Sequence, residues 1–205
     1  LGSPIGKFSI DAPFDTHLET FERALRACEI LGTKNMRMFS FFVDEENIAA
    51  KRDEVIARMN TLVSIAKDRG INLCHENESA IYGQMPAEVK DVLTSVPGLG
   101  GIFDAANYRM NNGDTMQGIE ATLINFKYMH IKDAIYKEQT IVPAGEGEGH
   151  VKEALQKIDE LFDGEVVLTV EPHLFVSDSY KKFDGRGMKH RFHFETADEA
   201  FDYGV

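Results

Sequence analysis

The feature that most constrains this chain is an alternation: apolar runs of strand length, each followed by a longer stretch of helical periodicity, recur along the sequence. A parallel sheet of βα units requires this pattern, because its strands are buried on both faces and need a crossover helix between them. Residues 16–31 put Leu18, Phe21, Leu25, Cys28 and Leu31 on one helical face, with Asp15 as a cap and Gly32 as the stop. NMRMFSFF, at about 34–41, follows as a strand. Residues 45–69 carry Ile48, Val55, Met59, Leu62 and Ala66 at helical spacing and end at Gly70, before the strand INLCHE. Pro86 fits the first turn of a short helix ending near Val96, and GGIFDA at 100–105 is the next strand. A helix at 114–124, the strand FKYMHI, a helix at 150–162 and the strand EVVLTVEP complete the series. Ser177 to Phe194 reads as a long polar loop, after which Thr196 caps a final helix.

That gives five strands, and LGSPIGK reads as the exit of a sixth. A closed barrel needs eight, so a TIM (β/α)8 barrel here would lack its N-terminal strands and the end of its last helix, leaving an open edge. The alternative, an open doubly wound sheet, finds no glycine fingerprint to support it. With 205 residues, 43% of them hydrophobic, the chain can bury a sizeable core, and residues 1–205 are expected to form a single partial domain.

Charge and cysteine usage narrow the function classes. The chain carries 34 acidic against 22 basic residues, a formal charge of −12, which repels nucleic acid and anionic membranes. Its densest basic stretch, Arg186 to Arg191, is short and lies among acidic residues. Cys28 and Cys74 fall in apolar contexts without motif spacing and read as reduced core thiols, so a cytoplasmic protein with no membrane segment and no leader is expected.

In parallel βα folds the side chains just beyond each apolar run face the site. Four such positions carry metal-ligand residue types: Glu76 after INLCH, Asp104 after GGIF, His130 after FKYM and Glu171 after VVLTV. Each alone has a bland reading, a helix cap or a solvated loop residue. Recurrence on consecutive strands changes the balance, because three neighbouring buried carboxylates cost several kcal/mol unless a cation compensates them. Three carboxylates and an imidazole suit one divalent ion, Mn²⁺ first, with Zn²⁺, Co²⁺ and Mg²⁺ as alternatives.

HENE at 75–78, FDAANY at 103–108, YMHIKDA at 128–134, AGEGEGH at 144–150 and VEPHL at 170–174 resemble, in order, the strand-end signatures of the xylose isomerase-like TIM-barrel family. That family gathers sugar isomerases, epimerases, inosose dehydratase and a type of DNA repair endonuclease. The resemblance implies that Glu76, Asp104, His130 and Glu171 hold the metal. It also implies that Glu76 and Glu171 are the catalytic acid/base pair, moving a proton off and onto a carbon beside a carbonyl. Asn107, Lys132, Asp133, His173, Arg37 and Glu78 are the candidate substrate-binding residues, with Lys7 a further cation near the site. His75, one residue from Glu76, faces the other way.

Two departures limit what carries over. Ketohexose 3-epimerases of the family usually have a His and an Arg where this chain has Asn107 and Tyr136, and the extra histidines of the DNA repair branch are missing. The expected function is therefore a metal-dependent sugar or cyclitol isomerase/epimerase. The alternatives are a dehydratase of the inosose dehydratase type and a non-catalytic sugar- or metal-binding barrel. The expected partner is a small-molecule sugar or cyclitol, without nucleic acid or membrane, and a homo-oligomer is compatible with the sequence.

Overall fold

The computed structural model describes residues 1–175 and 191–204. Strands β1 (Asn35–Met38), β2 (Asn72–Glu76), β3 (Gly100–Asp104), β4 (Phe126–Ile131) and β7 (Val167–Val170) form one sheet in that order, every neighbouring pair parallel. Between β4 and β7, β5 (Asp133–Ile135) and β6 (Thr140–Val142) pair as a separate antiparallel hairpin. The helices are α1 (Phe14–Leu31), α2 (Ile48–Asp68), α3 (Pro86–Ser95), α4 (Ala105–Met110), α5 (Thr115–Thr122), α6 (Val151–Leu161) and α7 (Ala197–Gly204).

The parallel strands curl through 202° into a half-barrel, a partial TIM barrel. Strand order follows chain order without a reversal, which a doubly wound sheet would need. Residues 1–5 run beside β1 as the expected strand exit. The Leu1 amino group donates to Asn35 O at 2.7 Å, Arg37 N to Leu1 O at 2.9 Å, and Phe39 N to Ile5 O at 2.8 Å. At the other edge β7 leaves Val167 and Leu168 exposed by 59% and 46%.

Side-chain alternation decides which residues enter the barrel and which meet the helices. Met36, Met38, Leu73, Phe103 and Met129 point outward and join Phe21, Leu25, Val55, Met59, Leu62, Val92 and Ile158 of the helices in one continuous core. The alternate positions, Arg37, Glu76, Asp104 and His130 among them, therefore face inward. Asp104 lies opposite His130 across β3 and β4, and Glu76 opposite Ile102.

Several local expectations needed adjustment. Helix α1 starts at Phe14 behind Pro13, and Asp15 lies in its first turn without capping it, because the proline-set backbone already starts the helix. Residues 45–47 are a 3-10 turn rather than the first turn of α2. Helix α4 and the β5–β6 hairpin fill stretches to which the sequence pattern assigns no element, both too short to show a period. At α7, by contrast, Thr196 Oγ1 does accept from Glu199 N at 3.2 Å. Most of the polar loop read at 177–194, and Arg186 with it, lies outside the described residues.

Two histidines are buried with the core. His17 packs against the rings of Phe8, Phe14 and Phe41, and burial, helped by the nearby Arg58 charge, lowers its pKa to about 4. His75 turns away from the barrel interior, its Nε2 2.9 Å from Ser40 Oγ, and burial lowers its pKa to about 3. Both are neutral in the folded protein at values where an unfolded histidine, near 6.5, is charged. The unfolded chain thus binds more protons below that value, and stability falls as pH drops from about 6.5 towards 4, by roughly 1.4 kcal/mol per pH unit for each histidine. Denaturant unfolding at pH 7 and pH 4.5 measures this, and in a His17→Phe variant the slope should shrink.

Candidate metal centre

The site is built from the residues that end four consecutive strands of the sheet. Glu76 ends β2, Asp104 ends β3, His130 is the penultimate residue of β4, and Glu171 directly follows β7. One potential ligand atom from each lies within 4.8 Å of all the others. His130 Nδ1 is 3.3 Å from Glu76 Oε1, 3.3 Å from Asp104 Oδ2 and 3.6 Å from Glu171 Oε2. Donors around a shared ion at bonds of about 2.1 Å stand about 3.4 Å apart when tetrahedrally arranged, so these separations fit a common divalent cation. Glu76, Asp104 and His130 are at most 3% exposed and Glu171 is 21% exposed by side chain, so the cluster opens on the Glu171 side.

Asp104 has two tasks. Its Oδ1 accepts from Asn107 N at 2.8 Å and caps α4, while Oδ2 faces His130, so the bland reading of a strand-end carboxylate as a helix cap holds for one oxygen only. Burial alone would raise the Asp104 pKa, but Lys132 and His130 outweigh it and hold the carboxyl well below its usual range. For His130, burial works against the charge, yet hydrogen bonds to Asp104 and Glu76 raise its pKa to about 10.

The other expected site residues are divided by the structure. Arg37 reaches the cluster, its Nη1 3.1 Å from Glu76 Oε2 and 3.5 Å from Glu171 Oε1, with its guanidinium over the Phe39 ring. Lys132 is buried and points inward, Nζ 3.1 Å from Asn107 Oδ1 and 3.4 Å from Asp104 Oδ2. Asn107, a candidate substrate-binding residue, donates to Glu76 Oε1 at 3.2 Å and Asn77 O at 2.9 Å. Glu78 pairs with Lys7 at 2.9 Å on the rim, where Lys7 and Lys132 overcome burial and keep the carboxyl below its usual pKa. His173 Nε2 is 3.8 Å from Glu171 Oε2, and burial, with Lys132 nearby, lowers its pKa to about 4. Asp133 alone turns from the cluster, into the loop at 144–149.

Sequence reasoning passed over Asn77. Its side chain donates to Asp104 O at 2.9 Å and accepts from Asp104 N at 3.0 Å, a side-chain rung that holds the ends of β2 and β3 together. The signal was its place inside HENE, but a buried amide bonding backbone leaves no periodic trace.

Comparison with known proteins places this geometry in a family. The xylose isomerase-like TIM barrel family matches residues 8–185, and the chain belongs to it. No curated protein matches the chain. Among solved structures, a D-psicose 3-epimerase in the presence of D-fructose is similar, with a TM-score of 0.72 and 16% identity over 99% of this chain and 73% of that one. The IOLI protein with a binding zinc atom matches with a TM-score of 0.70 and 16% identity, covering 93% of this chain and 67% of that one. The probable 3-DHS dehydratase AsbF, involved in petrobactin synthesis in Bacillus anthracis, matches with a TM-score of 0.66 and 14% identity over 83% and 68%. At these identities the likeness is one of fold. Among the described residues no helix is long and apolar enough to cross a membrane.

Proposed function

We propose that this member of the xylose isomerase-like family is a metal-dependent sugar or cyclitol isomerase/epimerase that works by proton transfer beside a carbonyl. The observation that carries the reading is the buried cluster of Glu76, Asp104, His130 and Glu171, with one ligand atom of each within 4.8 Å of the rest. These four residues would hold one divalent ion, and the mixed carboxylate and imidazole set favours Mn²⁺, with Zn²⁺, Co²⁺ and Mg²⁺ the alternatives. When bound, such an ion supplies a Lewis acid that lowers the cost of negative charge on a substrate oxygen.

Glu76 and Glu171 are the acid/base pair. They come from β2 and the end of β7, with β3 and β4 between them, and the Arg37 guanidinium touches both carboxylates, which keeps them ordered. One removes the proton from the carbon next to the carbonyl and the other returns a proton to an adjacent position or to the opposite face. Lys132, Arg37, His173 and Glu78 would bind substrate oxygens beside the ion, and Asn107 orients Glu76 through its bond to Oε1.

Incubation with a panel of ketohexoses, cyclitols and sugar acids in deuterated water tests the reaction class. The expected result is metal-dependent deuterium uptake into recovered sugar or its epimer without loss of water. A dehydrated product would replace this reading with a lyase, and no exchange with any member of the panel would favour a binding role.

A further inference from the structure

The Asp133 carboxylate is buried, and both of its oxygens are taken by backbone N–H groups. Oδ1 accepts from Ala134 N at 2.8 Å and Gly149 N at 2.8 Å, while Oδ2 accepts from Gly145 N at 3.0 Å and Gly147 N at 3.1 Å. Alternate residues of AGEGEGH thus wrap the acid, and a Cβ on either Gly147 or Gly149 would overlap the carboxylate. Glu148 closes the wrap from outside: its N donates to Ala134 O at 2.9 Å, and its carboxylate takes Tyr136 N at 3.0 Å and Arg109 at 3.2 Å.

The clasp lies at the end of the segment that carries His130. From His130 to Lys132 each residue is tied to the cluster. His130 faces three carboxylates, Ile131 O accepts from Glu171 N at 3.1 Å, and Lys132 reaches Asp104. Beyond Lys132 the chain leaves the parallel sheet for the hairpin, so no further parallel pairing holds the segment in place. Asp133 supplies that restraint through the loop. We propose that Asp133 is a positioning residue, whose grip on the glycine loop fixes the 130–133 segment and with it the geometry of His130, Glu171 and Asp104 around the ion. The inference rests on the metal reading above. Four charge-assisted bonds to one carboxylate make a stiff anchor, and Asn cannot replace it, because its NH2 would face N–H donors.

The test uses Co²⁺ as probe, since its visible absorption reports ligand geometry rather than stability. Asp133→Asn should weaken Co²⁺ binding by roughly 10–100-fold, the usual cost of losing a partner that orients ligands, and should shift or broaden the absorption bands. Gly147→Ala attacks the same clasp from the loop side and should give the same spectral change, the double variant adding little to either single one. Leu25→Ala on α1, a fully buried core position outside the clasp, destabilises the fold and should leave the spectrum as in the wild type. If Asp133→Asn fails to fold, Gly147→Ala alone decides. A wild-type spectrum and affinity in a folded clasp variant would overturn the positioning role while leaving the metal site standing. Wild-type protein with no Co²⁺ spectrum would overturn both.

Discussion

Loading the protein with Mn²⁺ or Co²⁺ is expected to raise its Tm by about 8–16 °C at an ion concentration a thousandfold above Kd. Binding to the native state alone contributes RT ln(1 + [L]/Kd), about 4.1 kcal/mol at that excess, and a domain of this size gains roughly 2–4 °C per kcal/mol. The gain is large because the ion relieves an existing cost: Glu76, Asp104 and Glu171 converge within 4.8 Å and, among the described residues, are faced by His130, Arg37 and Lys132. Asp104→Asn should abolish most of the shift, since it removes a ligand charge at the fully buried corner of the site. The same substitution keeps an oxygen able to cap α4, so the metal-free variant should unfold within a few degrees of the wild type. Differential scanning calorimetry with and without ion checks both arms.

Replacing either carboxylate of the acid/base pair should reduce turnover steeply. Glu76→Gln and Glu171→Gln retain shape and a ligand oxygen but cannot accept or deliver a proton, so metal-saturated variants should lose roughly 10²–10⁴ in kcat with KM little changed. The two are expected to differ in what survives. Glu171 lies on the open side at 21% exposure and Glu76 is almost fully buried, so exchange with solvent deuterium should survive better in Glu76→Gln than in Glu171→Gln. Rate and isotope content of recovered substrate, measured by NMR at matched metal occupancy, separate these outcomes. Normal turnover in both variants would remove them from the proton path.

Much of this was legible in the sequence because each signal was carried by a rule that acts locally. The βα alternation gave five strands and their crossovers, since apolar runs bounded by Gly70, Gly100 and Pro86 have few other foldings. The strand-end rule found Glu76, Asp104, His130 and Glu171, which the structure brings together. Less legible were features that depend on partners distant in sequence. Asp133 looked like its neighbour Lys132, and only the arrival of Gly145, Gly147 and Gly149 decides that it faces the loop. The bonds of Asn107 to Glu76 and Asn77 were not legible, because those partners lie on another strand and the turn after it. The start of α1 was misplaced by two residues because Asp15 is a better capping side chain than Pro13, while the backbone of Pro13 sets the turn.

The most direct measurement of the central claim is the metal content of the protein, determined by mass spectrometry after dialysis against Mn²⁺ or Zn²⁺. One ion per chain in the wild type, lost when Asp104 and His130 are both replaced by Ala in a protein that still folds, is the predicted result. A wild type that retains no ion, or a double variant that keeps its full equivalent, would contradict the account.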